Sequence, residues 1–148
     1  MTAEEAMQAE AAALGAAAFT SASYKPGIIR HIVLFRYRPE TTSRQREEAR
    51  RRFCALAAEC VRDGAPYIRT LEGGRQASGE GLAHGFEDAF IATFGSEGDR
   101  NYYVGAPIVA DPRFHDQAHH RFKGFVGPLL ADDGVLVFDF AVTDECKP

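Results

Sequence analysis

The chain has no tryptophan, only two methionines and three cysteines in 148 residues, and it lacks a long apolar run. The scarcity of cysteine excludes a disulfide-stapled fold. Cys54, Cys60 and Cys146 are odd in number, none belongs to a CxxC pair, and Cys54 and Cys60 lie six apart on one expected helix, so they do not face each other. Both helical cysteines are expected to be small buried hydrophobes. The apolar runs are too short to cross a bilayer, so no membrane partner is expected. Seventeen Lys and Arg against 21 Asp and Glu leave a net charge of −4, which gives no electrostatic footprint for nucleic acid. Met1 to Glu10 holds three glutamates and no Lys or Arg, unlike the basic start of a secretory leader, so a cytoplasmic location is expected. The 45% hydrophobic content supports one domain with a real core.

Most of that apolar content is concentrated in strands. Ile28 to Tyr37 is nearly unbroken in apolar and β-branched residues and is bracketed by Pro26-Gly27 and Pro39. Period-2 counting puts Ile29, His31, Val33, Phe35 and Tyr37 on one face and Ile28, Ile32 and Leu34 on the other, the pattern of a central strand covered on both sides. His31 is therefore expected below the surface, either as a satisfied core imidazole or as a proton donor or acceptor lining a pocket. Phe86 to Phe94 alternates again and places Asp88 on the same face as Phe90 and Phe94. A buried acid needs a partner, so Asp88 is expected either at a wet strand end or paired in a site.

Helical periodicity fills the gaps. Over 44–61, Ala49, Phe53, Leu56 and Cys60 form one stripe, with Glu47–Arg51 and Glu48–Arg52 pairs opposite and Arg50-Arg51-Arg52 expected on the solvated side. Ser96 is the expected cap of a short helix carrying Tyr102 and Tyr103, and residues 104–113 read as a proline-broken loop. Over 114–126, His115, His119, Phe122 and Val126 fall on one stripe. That HxxxH spacing lacks the glutamate of a zinc protease, so no metal is assigned. Strands are expected over 67–73 and 134–142, and the glycine-rich 73–81 lacks the lysine of a phosphate loop. Residues 1–26 read as an alanine-rich extension, 27–143 as the domain and 144–148 as a tail. The element order βαββαβ gives an α+β, ferredoxin-like plan: a four-stranded antiparallel sheet with helices on one face. Tyr37, Phe53, Phe86, Phe90 and Phe122, with Phe35, supply the aromatic lining of an apolar ligand pocket.

Three segments, Arg30–Arg36, Gly85–Phe94 and His119–Phe122 leading into Pro128–Leu130 and Val135–Phe140, resemble the stress-responsive A/B barrel domain family, a branch of the dimeric α+β barrels. The resemblance implies a homodimer whose two sheets close a barrel. It also implies similarity to the plant polyketide cyclases of the olivetolic acid type, cofactor-free enzymes whose histidines and tyrosines handle protons. Carried over, the first-strand histidine is His31, the histidine three before a phenylalanine is His119, and the tyrosine is Tyr102 or Tyr103. Asp88 and Phe53 stand where the cyclase has a histidine and a tyrosine. The site implied is therefore a related trio of His31, Asp88 and His119, with the carboxylate fixing an imidazole tautomer. The expected activity is that of a cofactor-free cyclase or lyase on an aromatic or polyketide-like molecule. The alternatives are a non-enzymatic stress or ligand-binding protein and a cofactor-free monooxygenase.

Overall fold

The computed structural model describes residues 1–148. Four strands form one antiparallel sheet: β1 (Pro26–Tyr37) lies between β5 (Asp88–Ser96) and β6 (Leu130–Ala141), and β4 (Thr70–Arg75) pairs with the outer side of β5. The period-2 pattern of the opening strand thus reports its central position. Ile29, His31, Val33, Phe35 and Tyr37 are buried beneath the helices, while Ile28, Ile32 and Leu34 on the other face are half-covered. A two-residue hairpin, β2 (Val61–Arg62) and β3 (Ala65–Pro66), precedes β4.

Helix α3 (Ser43–Glu59) starts at a reciprocal cap in which the Thr42 hydroxyl accepts from the Gln45 amide and the Gln45 side chain accepts from the Thr42 amide. Its Ala49-Phe53-Leu56 stripe, continued by Cys60 at the C-cap, is buried on the sheet as the spacing requires. Phe53 stacks flat on Phe90 with ring centroids 4.0 Å apart, and Phe35 and Phe122 pack around them. The Phe90 ring also occupies the place a side chain would take at position 73, where a Cβ would stand 2.6 Å from it, so Gly73 is required within β4.

Several local expectations shift. Cys54 is exposed, because it lies one step around the helix from Phe53, and only Cys60 is buried. Glu48 takes both Arg51 and Arg52, so the expected Glu47–Arg51 pair does not form. Arg50 leaves the solvated face to pair with buried Asp88. The weak strand starts later than expected, and β6 starts earlier. Within β6, Gly134 lies where a Cβ would meet the Ala131 and Arg36 carbonyl oxygens, each at 2.5 Å. Residues 1–26 are helical in part, as α1 (Ala3–Leu14) and α2 (Ala16–Phe19). α1 has no buried residue and is tied down by Glu10, which pairs with Lys25 and accepts from Tyr24.

The helices cover one face of the sheet. The other face carries Ile91, Leu136, Phe138 and Phe140, all exposed, with Phe138 60% accessible. A contiguous exposed apolar band of this kind is uncommon on a monomer's surface. No helix is long and apolar enough to cross a membrane.

Candidate active site

A cavity of about 420 Å³ opens between the β1–β6 side of the sheet and the helices α4 (Glu97–Val104) and α5 (Gln117–Val126). Val33, Phe35 and Phe53 form its floor, Phe122 and Val126 its helical wall, and Val135 and Val137 the rim. The loop after α4 adds Ala106 and Pro107. Into this apolar space come two imidazoles, His31 from β1 and His119 from α5.

Strand register decides the partner of His31. Asp139 on β6 stands directly opposite it, and the His31 Nδ1–H donates to Asp139 Oδ1 at 2.7 Å. The other carboxylate oxygen, Oδ2, accepts from Arg100 at 3.1 Å. Arg100 is itself held by Asn101 Oδ1 and by Glu97. Burial pushes the Asp139 carboxyl up, but hydrogen bonding to His31 and the positive charge of Arg100 outweigh it, and the group stays below the ordinary carboxylate range. With the carboxylate accepting at Nδ1, a neutral His31 has its lone pair on Nε2, which has no protein partner.

His119 is fixed differently. Asp116 caps α5 by accepting from the His119 amide, and the His119 Nδ1–H donates to the Tyr103 carbonyl at 2.6 Å. A carbonyl only accepts, so the proton is on Nδ1 and the Nε2 lone pair is free. Burial, reinforced by the charge of Lys123 one turn on, pulls the His119 pKa down to about 3. His119 is therefore neutral across the physiological range: a hydrogen-bond acceptor, and too weak a base to take a proton from carbon.

The trio expected from the sequence does not assemble. Asp88 shares a sheet face with His31, but it lies opposite Phe35, four residues along the strand, where it accepts from the Tyr37 hydroxyl at 2.7 Å and pairs with Arg50 at 3.1 Å. Burial and Asp88 together push the Tyr37 phenol up. Tyr102 is half-buried against Tyr67, with the Arg62 guanidinium over its ring, and stays off the cavity. Tyr103 is buried behind both histidines, stacked on His119 at 3.8 Å and edge-on to His31 at 5.6 Å. Its hydroxyl has no hydrogen-bond partner, so it supports the imidazoles with its ring.

Of the six aromatic residues expected to line the pocket, Phe35, Phe53 and Phe122 do so. Phe90 lies beneath Phe53, Tyr37 is turned to Asp88, and Phe86 lies under Arg36 at a separate polar cleft. His115 stands outside α5, because Asp116 starts that helix, so His115 and His119 share no helical stripe. Asp139, Arg100 and Lys123 were not marked by sequence reasoning. An acid on the buried face of the last strand was the available signal for Asp139.

A buried hydroxyl without a partner costs stability, so Tyr103→Phe is expected to raise stability by about 1 kcal/mol. In a chain of this size that is a Tm higher by roughly 2–4 °C, read by thermal denaturation. A fall in Tm would show that the hydroxyl is satisfied.

The model of the stress-responsive A/B barrel domain matches residues 29–142. The chain belongs to this family. Among solved structures, a hydroxynitrile lyase from Passiflora edulis is 22% identical with a TM-score of 0.62, covering 83% of this chain and 99% of its own. A protein of Arabidopsis thaliana is 24% identical with a TM-score of 0.59, covering 80% of this chain and 99% of its own. A protein of Thermobifida fusca, described as dimeric, ferredoxin-like and of unknown function, is 28% identical with a TM-score of 0.53, covering 81% and 96%. No protein of curated function matches the chain by sequence. The A/B barrel chain thus has the ferredoxin-like fold expected from its element order, and its solved neighbours include dimers and one lyase.

Proposed function

We propose that this A/B barrel protein is a homodimeric, cofactor-free lyase or cyclase that binds an aromatic or polyketide-like molecule in the His31–His119 cavity. The observation that carries the reading is the pair of imidazoles in an apolar cavity, each tautomerically fixed at Nδ1 and each presenting a free Nε2. Such a pair suits proton transfer at a substrate carbon beside a carbonyl, or at a hydroxyl whose carbon–carbon bond is made or broken. His31 Nε2 takes the proton. The imidazolium that results is stabilised by Asp139, itself held by Arg100. His119 Nε2 accepts a hydrogen bond from a substrate hydroxyl and orients it. The aromatic floor excludes water, which strengthens both interactions. The dimer reading is supported by the exposed apolar band on the free sheet face and by the dimeric neighbours.

The test is a thermal-shift screen of the purified protein against phenolic acids, pyrones, cyanohydrins and short β-keto thioester mimics, followed by turnover assays on the hits. A ligand at a hundred times its Kd adds about 2.7 kcal/mol of stability, several degrees in Tm. Hits that are also turned over support the enzyme reading. Hits without turnover of any scaffold would make the protein a carrier, and no hits at all would remove the cavity as a ligand site.

A further inference from the structure

The cavity holds a third polar group, and its charge is uncompensated. Lys123 follows His119 by one helical turn, lines the same cavity, and is half-buried between Phe122 and the α4 end. Its ammonium donates to the Val104 carbonyl at 2.9 Å. Val104 ends α4, so this bond caps a free helix-terminal carbonyl and anchors the side chain. One carbonyl uses one of three N–H donors. No carboxylate pairs with the group: burial alone moves its pKa, downward, with no acid opposing the shift. Its charge adds to burial in lowering the basicity of His119. No aspartate or glutamate lines the cavity, and Asp139, behind His31, is committed to His31 and Arg100. The apolar cavity therefore presents a cation without an anion, an arrangement that costs free energy until a ligand supplies one.

We propose that Lys123 is the anion-recognition residue of this cavity, and that its ligand is an apolar, aromatic-sized monoanion whose carboxylate or enolate oxygen meets the Lys123 ammonium. The inference rests on the cavity being the ligand site and adds the charge class of what enters it. The anion takes the two remaining N–H donors, and the ligand's ring lies along Phe35, Phe53 and Phe122. Neutralising Lys123 also relieves the field that weakens His119, so a bound anion makes that imidazole a better acceptor.

The experiment compares 2-naphthoate with 2-naphthamide, a neutral molecule of nearly the same shape, by fluorescence titration of the full-length protein. A charge-assisted hydrogen bond in an apolar cavity predicts that naphthoate binds about tenfold tighter or better. Lys123→Gln retains a donor for the Val104 carbonyl and is expected to abolish that preference by weakening naphthoate while leaving naphthamide unchanged. Lys123→Arg is expected to retain most of it. Circular dichroism of each variant confirms the fold. Equal binding of the two probes to the unmodified protein overturns the inference and leaves the cavity reading standing. Binding of neither probe overturns both.

Discussion

His31→Gln is expected to lower kcat by about 10² to 10⁴-fold on the compound the unmodified protein turns over, with binding of that compound changed far less. The range is what a positioned general base contributes. Glutamine fills similar volume and can still hydrogen-bond to Asp139, so the fold and the cavity persist. What is lost is the Nε2 lone pair. A sharper version uses Asp139→Asn. Arg100 donates to Oδ2 of this residue, so in the variant the amide oxygen faces Arg100 and the amide nitrogen faces His31. That nitrogen only donates, so His31 must accept at Nδ1 and carry its proton on Nε2. The imidazole is then present, in place and in the wrong tautomer. Stopped-flow or steady-state kinetics should show a kcat loss of 10²-fold or more for Asp139→Asn with little change in KM. Unchanged turnover in both variants would mean that the histidine is a core residue and that the chemistry, if any, lies elsewhere.

Acidification provides the second large effect. His119 has a folded-state pKa of about 3 against an ordinary value of 6.5. Between those two values the unfolded chain binds a proton that the folded chain refuses. The stability this group contributes is therefore fully present above pH 6.5 and is lost as the pH falls toward 3, at about 1.4 kcal/mol per pH unit. From pH 6.5 to 5 the loss is about 2 kcal/mol, a large share of a typical domain's stability. Asp139, held below the ordinary carboxylate range, adds its own acid sensitivity only below that window. Urea unfolding at pH 7, 6 and 5 should show the falling midpoint. His119→Gln, whose amide can still donate to the Tyr103 carbonyl, should flatten the dependence over the same range. An equally steep dependence in the variant would assign the acid sensitivity to another group.

The two effects separate the histidines by role, and the separation follows from what each Nδ1 meets. The Asp139 carboxylate fixes the tautomer of His31, while burial and the neighbouring Lys123 ammonium keep His119 neutral against the opposing pull of the Tyr103 carbonyl. Both residues were visible in the sequence as candidates, but their roles were not. A histidine's chemistry depends on its neighbours in space, and those come from other elements.

The sequence by itself determined the local order of this protein. The alternation of Ile29 to Tyr37 marked the central strand, the Ala49-Phe53-Leu56-Cys60 spacing marked the buried helix face, and Ser96 marked the start of α4, whose Asp99 amide it caps. Those signals are short-range and need only the two periods of backbone structure. Only the tertiary structure decided which acid serves His31. Period-2 patterning assigns Asp88 to the same sheet face, yet it says nothing of register between strands joined by long connections. The β1–β5 register puts Asp88 opposite Phe35, where Arg50 and Tyr37 claim it, and the β1–β6 register puts Asp139 opposite His31, 108 residues away in sequence. Register is set by how the two apolar faces and their bulges pack together. It is a property of the assembled sheet, and no single strand contains it.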